Sequence, residues 1–153
     1  MDVTVINPFI TATVNVLETM AFLQVGTGNP YLKQDNVAKG DVTGVIGLTG
    51  DANGTIAVTF QKDCILAIVS NMFGEKMNEL NHEIADAVGE LSNMISGQAR
   101  RELELSGRHF KAAIPSVVTG KNHTITHYTK GPKIAIPFKT TKGGFTIEVC
   151  FEK

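Results

Sequence analysis

The chain has few cysteines, no excess of charge of either sign and no apolar run long enough to cross a membrane. Among its 153 residues, Cys64 lies in an apolar helix pattern and Cys150 in a strand pattern, and we interpret both as buried, reduced thiols. A formal net charge of -1 gives no indication of nucleic acid or an anionic membrane as a partner. Because the N-terminus also lacks a basic segment followed by an apolar stretch, we expect a cytoplasmic protein.

Motifs of self-contained active sites are missing as well. The sequence has no serine nucleophile elbow, no phosphate-binding loop ending in Gly-Lys-Ser/Thr and no array of metal ligands. The five glycines of Gly40–Gly54 lack such spacings and predict a hairpin whose backbone packs closely. His123 and His127 fit one face of a strand without a carboxylate or thiol cluster, so we expect no metal site. Any catalysis would therefore rely on side chains contributed to chemistry housed in a partner.

The most informative segment is a helix predicted over residues 82–105. Its apolar positions recur every three or four residues and form one stripe towards a core: Ile84, Val88, Leu91, Ile95 and Ala99. Steps of about 100° per residue place a second set on the opposite face: Asp86, Glu90, Asn93, Gly97 and Arg100. Glu90 and Asn93 then stand one turn apart and face water. Since an interior helical glycine costs up to about 1 kcal/mol relative to alanine, Gly97 suits a bare patch on which something docks closely.

Two interpretations of this face are open. A glutamate and an asparagine three positions apart are common, and their spacing alone indicates an ordinary solvated helix surface. The outward direction of the pair, the bare Gly97 beside it and an analogous pair in the first helix favour a functional site. Asp86 and Arg100 fit both interpretations, as surface ion pairs worth roughly 0–1 kcal/mol or as contacts to charges on a docked partner.

The analogous pair lies on a helix predicted to begin at Asn7-Pro8 and to end near Gln24. Its predicted core stripe is Phe9, Val16, Met20 and Leu23. A shift of 75 positions places Asn15 on Glu90 and Glu18 on Asn93, so the amide and the acid are exchanged. We treat the Asn15/Glu18 pair as a possible degenerate second site.

A hairpin repeats in the same order as the helix. Thr55–Lys62 and Thr146–Lys153 share five of eight residues, and each run completes a hairpin across an Asn-Gly or Gly-Gly turn. The first strands of the two hairpins are predicted at Val42–Leu48 and Lys133–Thr140. We therefore predict one domain over residues 1–153 that arose by duplication, with pseudo-repeats at about 7–62 and 81–153.

These elements predict an α+β fold with pseudo-two-fold symmetry, in which two long helices pack on one face of an antiparallel sheet. A short apolar helix at Cys64–Phe73, stopped by Gly74, links the two copies. Further strands are predicted around Ala112–Val118 and His123–Thr129. An exposed sheet edge suggests a homodimer formed by strand pairing.

Residues 86–99 resemble the signature helix of the CheC/CheX/FliY phosphatases of bacterial chemotaxis. The segments Asn7–Phe9, Val16–Ala21 and Met72–Glu75 resemble CheX-type members in particular, so the resemblance covers most of the chain. It implies an α+β fold with internal pseudo-symmetry and dephosphorylation of a phosphorylated CheY-type response regulator. Glu90 and Asn93 match the acid and amide of the signature. CheC-type members carry the acid and amide on both long helices, whereas here the first helix has the amide, Asn15, before the acid, Glu18. This departure favours the CheX type, whose members have one such site and tend to dimerise.

The resemblance also implies how the reaction proceeds. An aspartyl phosphate is a reactive acyl phosphate, and the regulator itself supplies Mg²⁺ and a lysine, so the chain needs no cofactor of its own. Asn93 would hold the attacking water in line, and Glu90 would pair with the regulator's lysine. From their place on the same helix face, we expect Asp86, Gly97 and Arg100 to contact the regulator surface.

Two other functions remain open from the sequence. One is a non-catalytic signalling module that binds a response regulator or a flagellar or chemotaxis partner. The other is a structural subunit that associates through its sheet edge. The identity of the regulator and of the two-component pathway is not specified by these residues.

Overall fold

A computed structural model describes residues 3–127 and 130–152 of the chain. In these residues the elements follow in the order α1 (Val3–Ala21), β1 (Gly26–Thr27), β2 (Tyr31–Lys33), β3 (Val42–Gly50), β4 (Gly54–Phe60), α2 (Lys62–Phe73), α3 (His82–Leu105), β5 (Phe110–Ala112), β6 (Ser116–Thr119), β7 (Lys133–Thr140) and β8 (Gly143–Phe151). The strands form one antiparallel sheet, so the predicted α+β class is confirmed. None of the described helices is both long and apolar enough to cross a membrane.

The order of the strands is symmetric about the centre of the sheet. The main path runs β1-β7-β8-β4-β3-β5, with β2 also paired to β7 and β6 also paired to β3. Ala57 of β4 pairs directly with Glu148 of β8, and these are the two residues that the sequence repeat aligns with each other. A two-fold repeat would have this order and register. The duplication itself stays a prediction.

The core lies between the three helices and one face of the sheet. Alternate residues of the four long strands point into it, together with one face of each helix. Its largest fully buried side chains include Phe9, Leu17, Phe60, Leu91 and Phe138. Three phenyl rings continue the packing, since Phe145 stacks on Phe60 at 5.2 Å and on Phe138 at 4.9 Å between ring centroids.

The first helix begins earlier and ends earlier than predicted. It starts at Val3 instead of Asn7, so Pro8 lies inside the helix, where it removes one backbone hydrogen bond. Val5 and Ile6 are buried in the core, and this burial offsets that loss. The helix ends at Ala21 instead of near Gln24, because Phe22 takes a left-handed conformation with φ of 56°.

The exposure of Met20 corrects the predicted core stripe of the same helix. Met20 is 39% exposed, whereas Leu17 is fully buried and occupies the inner face. Phe9 and Val16 are buried as predicted, and Leu23 is half-buried against the core. Met20 still lies within α1, but the buried face passes through Val16, Leu17 and Ala21, so the predicted stripe deviated from this face in the last turn.

The predicted strands after α3 are only partly correct. The run predicted around Ala112–Val118 is divided into β5 and β6, which flank the break at residues 113–115. No strand is found over 123–127 among the described residues; Thr124 instead forms an isolated bridge to Val37. Tyr128 and Thr129, the end of that predicted strand, lie outside the described residues. The strand predicted at Lys133–Thr140 is confirmed in full as β7. Gly74 ends the short helix α2, as predicted, and has a φ of 70°.

Candidate functional site

The helix that carries the predicted site has the predicted bounds, His82–Leu105. Its first turn is capped by Asn81, whose side-chain oxygen accepts a 3.2 Å hydrogen bond from the Ile84 amide. The inner face is fixed by fully buried residues along its length: Val88, Leu91, Ile95, Ala99 and Leu103. The orientation of the outer face therefore follows from burial of the inner one.

Glu90 and Asn93 lie on the exposed face of α3, one turn apart, as the periodicity predicts. Neither side chain has a hydrogen-bond or ion-pair partner among the described residues. An exposed carboxylate and an exposed amide on a braced helix offer one acceptor group and one group that both donates and accepts. The pair is thus free to interact with another molecule.

The turn between these two residues is firmly seated on the sheet. Ser92 is 2% exposed, and its hydroxyl donates a 2.8 Å hydrogen bond to the Val88 carbonyl. Gly89, which neighbours Glu90 in sequence, is also buried and faces Pro115 and Val117. Gly89 therefore belongs to the packing of α3 and not to its exposed surface.

Gly97 and Arg100 border the pair on its C-terminal side. A methyl group at Gly97 would have Arg100 Nη2, 3.9 Å away, as its nearest neighbour, so the surface at Gly97 is open. Arg100 is half-buried, and its Nε donates to Ser96 Oγ at 3.4 Å. No acidic side chain within the described ranges forms an ion pair with Arg100. A fixed cation beside a bare patch suits contact with an anionic surface.

Asp86 lies on the same face, one turn before Glu90, and has a local partner. His82 Nε2 is 3.5 Å from Asp86 Oδ2, and both side chains are largely exposed. An exposed pair of this kind contributes little to stability, so it is readily exchanged for contacts with a partner.

The pair in the first helix differs from the pair in α3. Asn15 and Glu18 are both exposed, but the Asn15 amide donates a 2.8 Å hydrogen bond to Gln98 Oε1 of α3. This contact joins residues 83 positions apart and could not be inferred from helical spacing. The amide that would serve a second site is thus engaged with the neighbouring helix.

A buried polar cluster on the opposite face of the sheet also escaped the sequence analysis. Glu148 accepts hydrogen bonds from Lys33 Nζ at 2.6 Å and from His127 Nε2 at 3.1 Å. Burial raises the pKa of the Glu148 carboxyl, but the hydrogen bonds and positive charges of His127 and Lys33 lower it, and the net direction is downward. No metal-binding group of three or more His, Cys, Asp or Glu side chains occurs in the described residues.

His123, the other histidine of the predicted strand, also has structural partners. The ring of His123 contacts Thr43 Oγ1 through Nε2 at 2.6 Å and donates from Nδ1 to the Gly120 carbonyl. His123 and His127 therefore attach the chain after β6 to the sheet at two separate points.

Cys64 is buried, and burial raises the pKa of its thiol to about 11.

Comparison with known proteins identifies the family and several relatives of the chain. The family described as "Chemotaxis phosphatase CheX" matches residues 42–139. The curated "CheY-P phosphatase CheX" of Thermotoga maritima is 29% identical over 129 residues, which cover 84% of this chain and 83% of that protein. The crystal structure of the chemotaxis protein CheX from Desulfovibrio desulfuricans is similar with a TM-score of 0.90 and 54% identity, covering 97% of this chain and 99% of that one.

A more distant structure has the same fold. It is CheX from Borrelia burgdorferi in a complex described as CheX-CheY-BeF3-Mg²⁺, with a TM-score of 0.83, 24% identity and coverage of 97% of each chain. At this identity the comparison supports the fold.

Proposed function

The chain belongs to the CheX family of chemotaxis phosphatases, and we propose that it hydrolyses the aspartyl phosphate of a phosphorylated CheY-type response regulator. The observation that carries the proposal is the free, exposed Glu90 and Asn93 pair on a helix whose other face is buried. The relative from Thermotoga maritima, which covers most of the chain, is named for the same activity.

In the proposed mechanism Asn93 positions the nucleophile. Its side-chain oxygen accepts a hydrogen bond from the attacking water, and its NH₂ group can hold an acceptor nearby, so one side chain fixes the water in line with the bond that breaks. Ideal positioning contributes about 7–11 kcal/mol to lowering a barrier, and one inserted amide supplies a fraction of that.

Glu90 orients the complex in this proposal. Its carboxylate pairs with a lysine of the regulator that neutralises phosphoryl charge. Mg²⁺ is brought by the regulator, in line with the Borrelia complex, whose contents include both CheY and Mg²⁺. Asp86, Gly97 and Arg100 complete the docking surface, with Gly97 allowing close approach.

We also propose that the chain forms a homodimer through a sheet edge. Tyr31 and Leu32 of the outer strand β2 are 51% and 58% exposed. Exposed apolar side chains on an edge strand favour pairing with a second copy. Sedimentation analysis tests this directly, since a strictly monomeric species at micromolar concentration would contradict it.

The activity is tested by phosphate release from a phosphorylated CheY-type receiver domain. Asn93→Ala and Glu90→Gln are each expected to abolish the accelerated release while changing stability by no more than about 0.5 kcal/mol, because both positions are exposed. Glu102→Gln, another exposed acid of α3, is the matched control and should retain full activity. Full activity of the Asn93 variant would exclude the mechanism. Tight binding of the phosphorylated regulator without faster release would select a binding module instead.

A further inference from the structure

The turn that carries Glu90 and Asn93 rests on a glycine of the sheet. Gly44 is buried on the helix side of β3, where a methyl group would lie 2.2 Å from Ser92 Oγ, 3.1 Å from Ser92 Cβ and 3.3 Å from Val88 Cγ1. Ordinary contacts of such a methyl group begin at 3.4 Å. The helix therefore lies so close to β3 at this point that no side chain fits between them.

Ser92 connects this close contact to the site. It stands between Glu90 and Asn93 in the sequence, yet it is buried while both of them are exposed. Glu90, Ser92 and Asn93 belong to the same helical turn. A shift of Ser92 away from the sheet therefore moves Glu90 and Asn93 outward with it. The height of this turn above the sheet thus sets the position of the exposed pair.

The strand beneath the turn is held within the sheet, since it is paired on both sides. Gly44 pairs with Val58 of β4 and with Val117 of β6. The contact at Gly89 is different, because a methyl group there would lie 3.7 Å from Val117 Cγ2 and 3.8 Å from Pro115 Cγ, both ordinary distances. The same turn therefore has one point without free space and another where a methyl group fits.

We infer that Gly44 is a positioning residue for the phosphatase reaction and acts through Ser92 on the placement of Asn93. The inference rests on the proposed function. A methyl group at Gly44 forces Ser92 Oγ to leave its hydrogen bond to the Val88 carbonyl or the turn to rise, since Ser92 Cβ and Val88 Cγ1 are themselves only 3.1 and 3.3 Å away. A misplacement of about 1 Å at a reacting group can reduce the rate about 10²-fold. The structural requirement for glycine at this strand position is thereby linked to catalysis.

The test compares kcat and KM for phosphate release from a CheY-type receiver domain phosphorylated by a small-molecule phosphodonor. Gly44→Ala is expected to lower kcat about ten- to hundred-fold, with a much smaller change in KM. Adding Ser92→Gly to this variant removes both Ser92 atoms from the overlap and is expected to restore most of kcat. Gly89→Ala adds the same methyl group to the same turn without overlap and should leave both constants unchanged.

A folded Gly44→Ala protein with a kcat within about two-fold of wild type would overturn the inference, and so would failure of Ser92→Gly to restore kcat. If Gly44→Ala does not fold, Ser92→Cys applies a milder push at the same contact and should lower kcat to a smaller extent. An unchanged kcat in folded Ser92→Cys would also overturn it. The wild type and Asn93→Ala separate the two ideas: a wild type that does not accelerate phosphate release refutes the proposed function, whereas an active wild type and an inactive Asn93→Ala beside a fully active Gly44→Ala refute this inference alone.

Discussion

The side-chain amide of Asn15 donates a 2.8 Å hydrogen bond to Gln98, across the contact between α1 and α3. Asn93, the amide of the other pair, has no such partner among the described residues. The outward asparagine of the first helix thus packs against the neighbouring helix, whereas that of α3 is left free, as the proposed site requires. This difference predicts an asymmetric response to mutation.

Asn15→Ala is expected to leave phosphate release unchanged and to lower stability by about 0.5–1 kcal/mol, because an exposed hydrogen bond contributes modestly. Urea denaturation and the phosphate-release assay measure the two effects. Gln98→Ala removes the other partner and should cause a similar loss of stability. A large loss of activity in Asn15→Ala would show that the first helix has a role in the reaction.

The open surface at Gly97 predicts opposite effects for a small and a large side chain. Gly97→Ala is expected to stabilise the protein by up to about 1 kcal/mol, since the methyl group meets no clash and alanine favours the helix. Gly97→Trp should keep the fold but raise KM for the phosphorylated regulator at least about ten-fold, by keeping the regulator from the helix.

Thermal unfolding and steady-state phosphate release measure these two effects, with Gly97→Ala as the matched control for the loss of glycine. If Gly97→Trp has the KM of the wild type, the regulator does not dock on this part of α3.

The sequence predicted α3 to the residue because several independent signals agree there. The apolar stripe is unbroken and Ser106-Gly107 follows the last turn, and in the structure Asn81 caps the first turn. The first helix was misjudged at both ends, since Pro8 suggested a start and Phe22 is an unusual residue for the left-handed conformation that ends it. Tertiary burial of the first turn overrode the local preference for a start at Asn7.

The outward direction of Glu90 and Asn93 followed from periodicity alone. The contacts between α3 and the sheet beneath these two residues did not. The closeness of Gly44 to Ser92 depends on how α3 lies on β3, which helical spacing does not specify. The same holds for the cluster around Glu148, because a glutamate within a strand gives no sign of which distant residues will cover it. Tertiary packing between distant segments decides both features.

The buried ion pair between Lys33 and Glu148 predicts a large effect when one partner is removed. The side chains are 10% and 3% exposed, and their charged atoms lie 2.6 Å apart. Lys33→Met is expected to cost about 3 kcal/mol, near the low end for breaking a buried pair, because His127 still donates to the carboxylate. Equilibrium denaturation measures this cost.

Two further variants decide whether burial of an unpaired charge is the cause. Lys33→Met combined with Glu148→Met should be less destabilised than Lys33→Met alone, since no charge is then left buried. Asp35→Asn removes the other carboxylate near Lys33, at 3.9 Å and 59% exposed, and should change stability by less than about 1 kcal/mol. A double variant less stable than Lys33→Met would contradict the explanation.

Glu148 also predicts how stability depends on pH at the acid end. Its pKa in the folded protein lies below the ordinary value of 4.5, because the hydrogen bonds and positive charges of His127 and Lys33 outweigh the effect of burial. The unfolded chain therefore binds the proton more readily than the folded one, and folding favours the ionised form. The stability from this group is fully present above the unfolded pKa and is lost as the pH falls through the folded pKa.

Glu148→Gln removes this contribution, so the difference in unfolding free energy between wild type and variant should be largest near about pH 7 and shrink as the pH falls below about 4.5. Urea denaturation of both proteins over that range measures the difference directly. Glu152→Gln, an exposed acid at the end of the same hairpin, should show a much smaller pH-dependent difference. If the Glu148→Gln difference stays constant down to about pH 3, the carboxylate is not held in its ionised form by Lys33 and His127, and the cluster stabilises the sheet by packing alone.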